Sequence, residues 1–321
     1  MDTGPSLPKP HFDNTLGAML LGNVAAGIFY GITSVQTYIY FKHCSRDSKL
    51  LKNAIWFLWI LDTVHLTFIT HTLYTYCVSN FGNAAALTRS IWSVSGQAYI
   101  TCVSEFMVRT IFTHRVWRLS NSNVRVPLIM VISLLSLAHL VGGFVASIEM
   151  DLLGTMLLPP RVNATMNVAL MSGVAVDALI AASIVISLLK SRTGFKKTDG
   201  IVTTLTLYAV STCLLTCMWG FITCIVHIVF PSNAIYLGMF FLISEFSLNA
   251  LLATLNAREK LRDRTYGVTS VPVEFGTITR TTGQTGSGGT SEPIYEGSMP
   301  SKMRIDVEHH VEIRGDPKPN S

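Results

Sequence analysis

The sequence predicts an all-α protein, a polytopic membrane bundle of seven transmembrane helices with its N-terminus outside and its C-terminus in the cytoplasm. Of its 321 residues, 49% are hydrophobic and only 13% are charged, and the mean hydropathy is +0.43. A soluble domain carries about 25% charged residues. Seven segments are long and apolar enough to cross the hydrocarbon core, which takes roughly 20 residues. Basic residues gather in alternate connections between these segments.

The predicted spans follow one another with short connections. The first contains no ionisable residue, and the last two are separated only by the turn PSNA at 231–234. That turn leaves no room for a soluble domain, so we expect one membrane domain over 16–264, preceded by an extracellular N-terminus at 1–15. The seven spans are 16–41, 54–78, 91–113, 126–148, 166–190, 201–230 and 235–256.

The distribution of basic residues predicts the orientation, because cytoplasmic loops are enriched in Lys and Arg. One side of the membrane carries 14 of these residues and the other side only 3. The richer side, predicted to be cytoplasmic, has Lys42, Arg46, Lys49, Lys52, Arg115, Arg118, Arg125, Arg192, Lys196, Lys197, Arg258, Lys260, Arg262 and Arg264. The poorer side has Lys9, Arg89 and Arg161.

Two further features agree with this orientation. The sequon Asn163-Ala164-Thr165 falls in the connection after span four, which the charge count places outside, so Asn163 is a possible glycosylation site. From Thr265 onward the chain becomes rich in Gly, Ser and Thr, a composition that buries too little apolar surface to fold. We expect 265–321 to be a disordered cytoplasmic tail.

Ionisable residues inside the predicted spans mark the candidate site, because a charge at mid-bilayer costs about 2.5–3.5 kcal/mol and must find partners. Asp62 and His65 are three residues apart and share one face of span two, whereas His71 points to the opposite side. Glu105 and Arg109 form an i, i+4 pair in span three. Both pairs lie at a similar depth, so we predict one polar cluster of these four residues in the cytoplasmic half.

Two more acids, Asp177 in span five and Glu245 in span seven, lie near the predicted midplane and are candidates for the same interior. Either these groups only neutralise one another and fix the helix register, or they serve a ligand or a proton pathway. The histidines of the spans form no HxxxH or HExxH pair, so we expect no metal site and no cofactor. No nucleophile and base lie at one depth, so we expect no enzyme.

Helix packing and the cysteines have simpler explanations. Gly27-Ile-Phe-Tyr-Gly31 is a GxxxG sequence, which we expect to serve packing inside the bundle, with homodimerisation as the alternative. The six cysteines lie mostly within apolar segments and show no zinc-ligand spacing, so we expect them to pack as small apolar residues.

Several strings resemble a large family of seven-helix integral membrane proteins of mushroom-forming fungi, the basidiomycetes, whose shared domain has no known function. They are YGITSVQTYIYF at 30–41, WILDTVHLTFITHTLY at 59–74, VSNFGN at 78–83, DALIAASIVISLLKSRTGFKKTD at 177–199 and LNALLATLNAR at 248–258. The resemblance implies the same seven spans with the N-terminus outside, but no substrate and no catalytic residues. Family members often carry Lys where this chain has Glu245, so a shared role for that position is not implied.

Together these features favour a receptor-like or sensor protein in the plasma membrane or a secretory-pathway membrane. The expected partners are the lipid bilayer, an unknown ligand, and a cytoplasmic protein bound through the tail and the basic loop that holds Arg192, Lys196 and Lys197. Nucleic acid is not an expected partner, because the basic residues lie in short loops between spans. A transporter or lipid-handling carrier is the alternative, and a structural membrane role is also open.

Overall fold

A computed structural model describes residues 16–44, 47–120, 122–155, 159–190, 214–230 and 235–266, and the account below concerns these residues. All of them fall within one compact unit of the chain, residues 1–270. The predicted N-terminal segment 1–15, the first part of span six, the turn 231–234 and almost all of the tail lie outside the described residues.

Seven helices follow the order of the predicted spans, and most of them extend beyond the predicted bounds by a turn or more. The helices are α1 Leu16–His43, α2 Lys49–Tyr74, α3 Trp92–Leu119, α4 Ser122–Leu153, α5 Pro160–Lys190, α6 Leu214–Val229 and α7 Ile235–Tyr266. A π-helical turn, Thr75–Ser79, continues α2, and a short 3-10 helix, Ala84–Thr88, precedes α3.

Five of the helices, namely α1, α2 with its π-helical turn, α4, α5 and α7, are long and apolar enough to cross a membrane. This finding indicates an integral membrane protein. The described part of α6 is apolar but shorter, at Leu214–Val229. Helix α3 is long enough, but its inward face carries polar and charged side chains that lower its hydropathy, Glu105 and Arg109 among them.

The helices pack side by side, with α3 in the middle. It contacts α2, α4, α5 and α7, while α1 packs against α2 and, most extensively, against α7. Helix α6 joins α7 through Trp219, whose indole N–H donates to the carbonyl of Met239 over 2.9 Å. Because α3 touches four neighbours, its polar residues face the interior of the bundle.

Apolar side chains cover the outer faces of the bundle, and polar side chains lie in its interior. Large apolar side chains on the outer faces are exposed, as at Leu21, which is 71% exposed, and Leu134, at 70%. The buried face of α3 instead carries hydroxyl, amide and charged groups, including Gln97, Thr101 and Glu105. This is the pattern expected when lipid surrounds the helices, because polar groups must then find their partners inside the protein.

The two connections at the end predicted to be extracellular are tied together. Ser90 donates its backbone N–H to the carbonyl of Gly154 over 3.1 Å, and Arg89 and Thr155 form an antiparallel bridge. Gly154 ends α4 with φ of 60°, a left-handed conformation that glycine adopts without strain. The connection before α3 is thus fixed to the end of α4.

Glycines let α1 and α7 approach closely, but they are not the glycines that the sequence suggests. A Cβ at Gly238 would meet the backbone of Ala18, and a Cβ at Gly22 would meet the backbone of Gly238. Among the described atoms, a Cβ at Gly27 or Gly31 would meet nothing within 4 Å. The expectation that the GxxxG sequence packs inside the bundle is therefore wrong for the described residues, since a GxxxG spacing alone does not say which helix face is covered.

We expect Gly238→Ala to destabilise the folded protein by about 1–3 kcal/mol, because the added methyl would overlap the backbone of α1. The measurement is the midpoint of unfolding of the purified protein in mixed micelles of increasing denaturing detergent. Gly27→Ala is the matched control, and we expect no loss of stability from it. Equal effects of the two substitutions would contradict the close contact of α1 with α7.

Candidate functional site

Arg109 is the centre of the first buried cluster, the arginine cluster, which consists of Glu105, Arg109 and Asp177. Arg109 Nε donates to Asp177 Oδ1 over 2.8 Å and Nη2 donates to Oδ2 over 3.0 Å, so α3 is bound to α5 by a two-point contact. Glu105 Oε2 lies 2.6 Å from Arg109 Nη2, one turn away on α3. The Arg109 side chain is only 3% exposed and Glu105 only 1%. This geometry pairs the guanidinium with two carboxyl groups inside the bundle, while its Nη1 has no hydrogen-bond partner among the described residues.

The space beside the arginine cluster is small and shaped by neighbours. Gly173 on α5 lies against Arg109, and a Cβ there would come within 3.2 Å of Arg109 Nη2 and within 2.7 Å of His139 Nδ1. A cavity of about 20 Å³ touches Arg109, Asp177 and Ser247. That volume holds a single water molecule. The arginine cluster is therefore a nearly closed unit, in which one guanidinium is paired with two carboxyl groups.

Asp62, His65 and Glu245 form the second cluster, the α2–α7 triad. One side-chain N or O atom of each lies within 4.8 Å of the others, and the His65 Nδ1 to Glu245 Oε1 distance is 3.6 Å. All three side chains are buried, with exposures of 3%, 0% and 0%. Like the arginine cluster, the triad contains two carboxyl groups, but it contains no arginine or lysine.

Helix α3 supports the triad from its other side. Thr101 Oγ1 lies 3.1 Å from His65 Nε2 and donates to the Gln97 carbonyl over 3.0 Å. The Gln97 side chain lies beside His65 and is 0% exposed. The His65 ring is thereby held with Nδ1 toward Glu245. Asn249, one turn after Glu245, donates to Thr33 Oγ1 over 2.8 Å and fixes α7 against α1.

The structure assembles the predicted residues differently from the expected single cluster. The sequence places Asp62, His65, Glu105 and Arg109 together because their depths agree. The structure instead joins Arg109 to Asp177 and joins the Asp62–His65 face to Glu245. The depth of a residue along a helix can be predicted from the sequence, but which helices are neighbours cannot. The pairing of ionisable residues on different helices could therefore not be predicted.

The remaining candidates fall outside both clusters. His71 lies outside the triad, with its Nδ1 3.0 Å from Ser93 Oγ on α3. Asn163 lies in the first turn of α5, which begins at Pro160, and not in the predicted loop. Arg192, Lys196 and Lys197 lie outside the described residues, so the predicted basic loop stays a prediction.

The expectation of no metal site was based on spacing along the chain. The α2–α7 triad shows how two helices bring together ligand types that are far apart in sequence, since Glu245 is supplied by α7. Gln97 and Thr101, which the sequence analysis did not single out, are the polar neighbours of His65. Their only signal was their place on the same helix face as Glu105, at i−8 and i−4.

A large cavity opens at the end of the bundle where the basic connections lie. Its volume is about 700 Å³, and it lies between the start of α2 and the ends of α3, α5 and α7. Three arginines and one aspartate are among the described residues that line it: Asp47, Arg115, Arg118 and Arg258. The cavity therefore has a positive lining.

Three polar contacts hold the rim of this cavity. Arg258 Nη2 pairs with Asp47 Oδ1, which links the end of α7 to the residue just before α2. Arg115 Nη1 donates to Thr254 Oγ1 over 2.8 Å, which links α3 to α7. Tyr40 at the end of α1 also donates to Asp47, over 3.1 Å. The ends of α1, α3 and α7 are thus coupled at this cavity.

Comparison with known proteins gives one match. Residues 173–260 match the family model described as Family of unknown function (DUF6534). The matched segment includes Asp177 and Glu245 and leaves out the other four residues of the two clusters. No curated protein matches the chain, and no solved structure does.

We expect Asp177→Asn to lower the free energy of unfolding by about 3 kcal/mol, because it leaves the buried Arg109 with Glu105 as its one remaining carboxylate in the cluster. The measurement is again the midpoint of unfolding in mixed micelles. Asp151→Asn, at an exposed aspartate that accepts from Tyr99, is the matched control and should change stability by less than about 0.5 kcal/mol. Similar effects at both positions would show that the arginine cluster contributes no special stability.

Proposed function

We propose that the protein is a receptor-like sensor with seven transmembrane helices, an extracellular N-terminus and a cytoplasmic C-terminus. It resides in the plasma membrane or a secretory-pathway membrane and binds an acidic cytoplasmic partner at the cavity described above. In this proposal it has no catalytic activity of its own. The observation that carries the proposal is the positively lined cavity at the end of the bundle.

The seven-span arrangement is supported by the five apolar helices together with α3 and the described part of α6. The orientation is supported by the excess of basic residues, 14 against 3, at the end where the cavity opens. The resemblance to basidiomycete seven-helix membrane proteins agrees with both, and its strings at 177–199 and 248–258 fall within the matched segment 173–260.

The size and charge of the cavity suit a protein segment. About 700 Å³ exceeds the volume of a single side chain and lies within the range of ligand-binding pockets. Arg118 lines this space together with Arg258, which is already paired with Asp47, and arginine is the side chain that best binds carboxylates through two hydrogen bonds. We infer a partner segment rich in Asp and Glu.

Helices α3 and α7 supply the route from the bundle interior to the cavity. On α3, Arg109 of the arginine cluster is six residues, about 9 Å, from Arg115 at the cavity. On α7, Glu245 of the triad lies two to three turns before Thr254. The Arg115–Thr254 contact joins the two helices at the cavity. A ligand that shifts α3 relative to α7 would therefore change the shape of the cavity.

The carrier hypothesis rests on a different observation. Several buried atoms of the triad, namely Asp62 Oδ2 and both Glu245 carboxylate oxygens, have no hydrogen-bond partner in the described part of the chain. Buried acids of this kind are frequent in proton-coupled transporters. The triad is enclosed, however, and the large cavity described above is lined by other residues, so the sensor hypothesis accounts for more of the structure.

Charge reversal at the cavity tests the sensor hypothesis. A proximity-labelling enzyme fused to the C-terminus should label a set of cytosolic proteins in cells that express the wild-type chain. We expect Arg118→Glu to reduce the labelling of the partner about tenfold, since a reversed charge costs on the order of 1.4 kcal/mol. Arg125→Glu is the matched control, because Arg125 lies at the same end but donates to the Ser120 carbonyl outside the cavity.

Two results would contradict the proposal. Identical sets of labelled proteins for Arg118→Glu and Arg125→Glu would show that the cavity does not bind the partner. Labelling of lumenal or extracellular proteins would overturn the orientation on which the proposal depends.

The carrier hypothesis predicts proton movement through the triad. Purified protein in vesicles that enclose a pH-sensitive dye should then change the internal pH when a gradient is imposed, and Asp62→Asn should abolish that change. Glu149→Gln, on α4 and outside both clusters, is the control for general effects on membrane acids. Under the sensor hypothesis we expect no flux above that of empty vesicles for any of these proteins.

A further inference from the structure

We propose that Asp62, His65 and Glu245 bind a divalent first-row transition-metal cation between α2 and α7. The inference concerns the bundle interior, and it holds or fails independently of the cavity proposed to bind a cytoplasmic partner. It rests on the distances within the triad, the orientation of the His65 ring, and the unpaired polar atoms that surround the same point.

The distances fit a metal centre. Two ligand atoms that each lie about 2.1 Å from one ion are roughly 3.0–4.2 Å apart, depending on the angle between them. The His65 Nδ1 to Glu245 Oε1 distance is 3.6 Å, and an atom from each of the three residues lies within 4.8 Å of the others. The His65–Glu245 distance already lies in this range, and ligand atoms at the 4.8 Å limit would move about 0.6 Å closer to share one ion.

Thr101 determines which lone pair His65 presents. A threonine hydroxyl has one hydrogen, and Thr101 donates it to the Gln97 carbonyl. Its oxygen, 3.1 Å from His65 Nε2, therefore accepts a hydrogen bond from that nitrogen. A neutral imidazole that carries its hydrogen on Nε2 has a lone pair on Nδ1, and Nδ1 faces Glu245. Holding the second ring nitrogen in this way is typical of metal-binding histidines.

Lone pairs then converge, because the carboxyl groups of Asp62 and Glu245 lie within hydrogen-bonding range of each other and need a proton or a metal cation between them. The Nδ1 lone pair of His65 meets the carboxyl groups of Asp62 and Glu245, and acceptors that face one another repel unless a cation lies between them. Asp62 Oδ2, His65 Nδ1 and both Glu245 oxygens have no hydrogen-bond partner among the described residues. In the same part of the chain, no Lys or Arg pairs with either acid.

Gln97 supplies a second, independent observation. Its side chain is 0% exposed and interacts with His65 at hydrogen-bonding range, but neither its amide oxygen nor its amide nitrogen makes a hydrogen bond of full geometry among the described residues. An amide group has two hydrogens to donate and two lone pairs to accept, so the contact with His65 leaves most of this capacity for a further partner. An ion at the triad, with a water in its open position, gives Gln97 that partner.

Charge and ligand type define the class of ion. Two carboxylates and a divalent cation sum to zero, which removes the penalty of leaving two negative charges in the interior. One imidazole nitrogen with carboxylate oxygens suits Mn²⁺, Fe²⁺ or Zn²⁺, whereas the absence of a thiolate from the triad disfavours soft ions such as Cu⁺. Three protein ligands leave at least one position for water or another small ligand.

Metal analysis of the full-length protein in lipid nanodiscs tests the proposal. The protein is stripped with a chelator, reloaded separately with Mn²⁺ and Zn²⁺, washed, and analysed for metal by mass spectrometry. We expect about one ion per chain for the wild type and less than about 0.2 for Glu245→Gln, which removes one of three ligands. Glu149→Gln, the same change at an acid on α4 outside the triad, should keep about one ion per chain.

A spectroscopic measurement on the wild type keeps the test meaningful if Glu245→Gln fails to fold. X-ray absorption of the zinc-loaded protein should show nitrogen and oxygen neighbours at about 2.0–2.1 Å and no sulfur. Metal content at or below the level of Glu245→Gln in the wild type would overturn the proposal, and a proton would then be the cation that the triad holds. Sulfur in the zinc shell, or equal loss of metal in Glu149→Gln, would overturn it as well.

Discussion

The interior of this bundle is organised by the need to neutralise a buried guanidinium where water is scarce. Arg109 sits on the central helix, and its contacts with Asp177 and Glu105 bind α3 to α5. The neighbouring features follow from it, because Gly173 leaves the guanidinium room and the adjoining cavity holds no more than a water. In lipid, an arginine without these partners would oppose insertion of α3. The arrangement of the helices around α3 therefore depends on this ion-pair network.

The two polar clusters differ in the role that their geometry suggests. The arginine cluster holds helices together, and the α2–α7 triad is a candidate for binding. The arginine cluster fixes α3 to α5, because its guanidinium pairs with two carboxyl groups, although Arg109 Nη1 has no hydrogen-bond partner among the described residues. The α2–α7 triad differs in having no guanidinium or ammonium group to pair with Asp62 and Glu245. Polar groups in a membrane interior that remain unsatisfied are expensive, so they persist where a ligand, an ion or a proton supplies what is missing. The triad is for this reason the better candidate for function.

Periodicity made part of this structure predictable. The common face of Asp62 and His65 and the i, i+4 contact of Glu105 with Arg109 follow from 3.6 residues per turn. Pairing across helices did not follow, because the sequence does not state that α3 lies beside α5 or that α7 reaches α2. The sequence therefore predicted Glu245 as a buried acid but did not predict that Asp62 and His65 lie beside it. Asn163 was misplaced for a local reason, since α5 begins at Pro160, a favoured first position of a helix.

The close contact of α1 with α7 has a consequence for biosynthesis. Helix α1 is the first to leave the ribosome and α7 is the last, so the most extensive helix contact joins the two ends of the translation order. Until Gly238 has been synthesised, the face of α1 around Gly22 has only lipid or a chaperone to cover it. The contact of α1 with α7 therefore forms only after α7 has been synthesised, which makes it a late step in folding of the bundle.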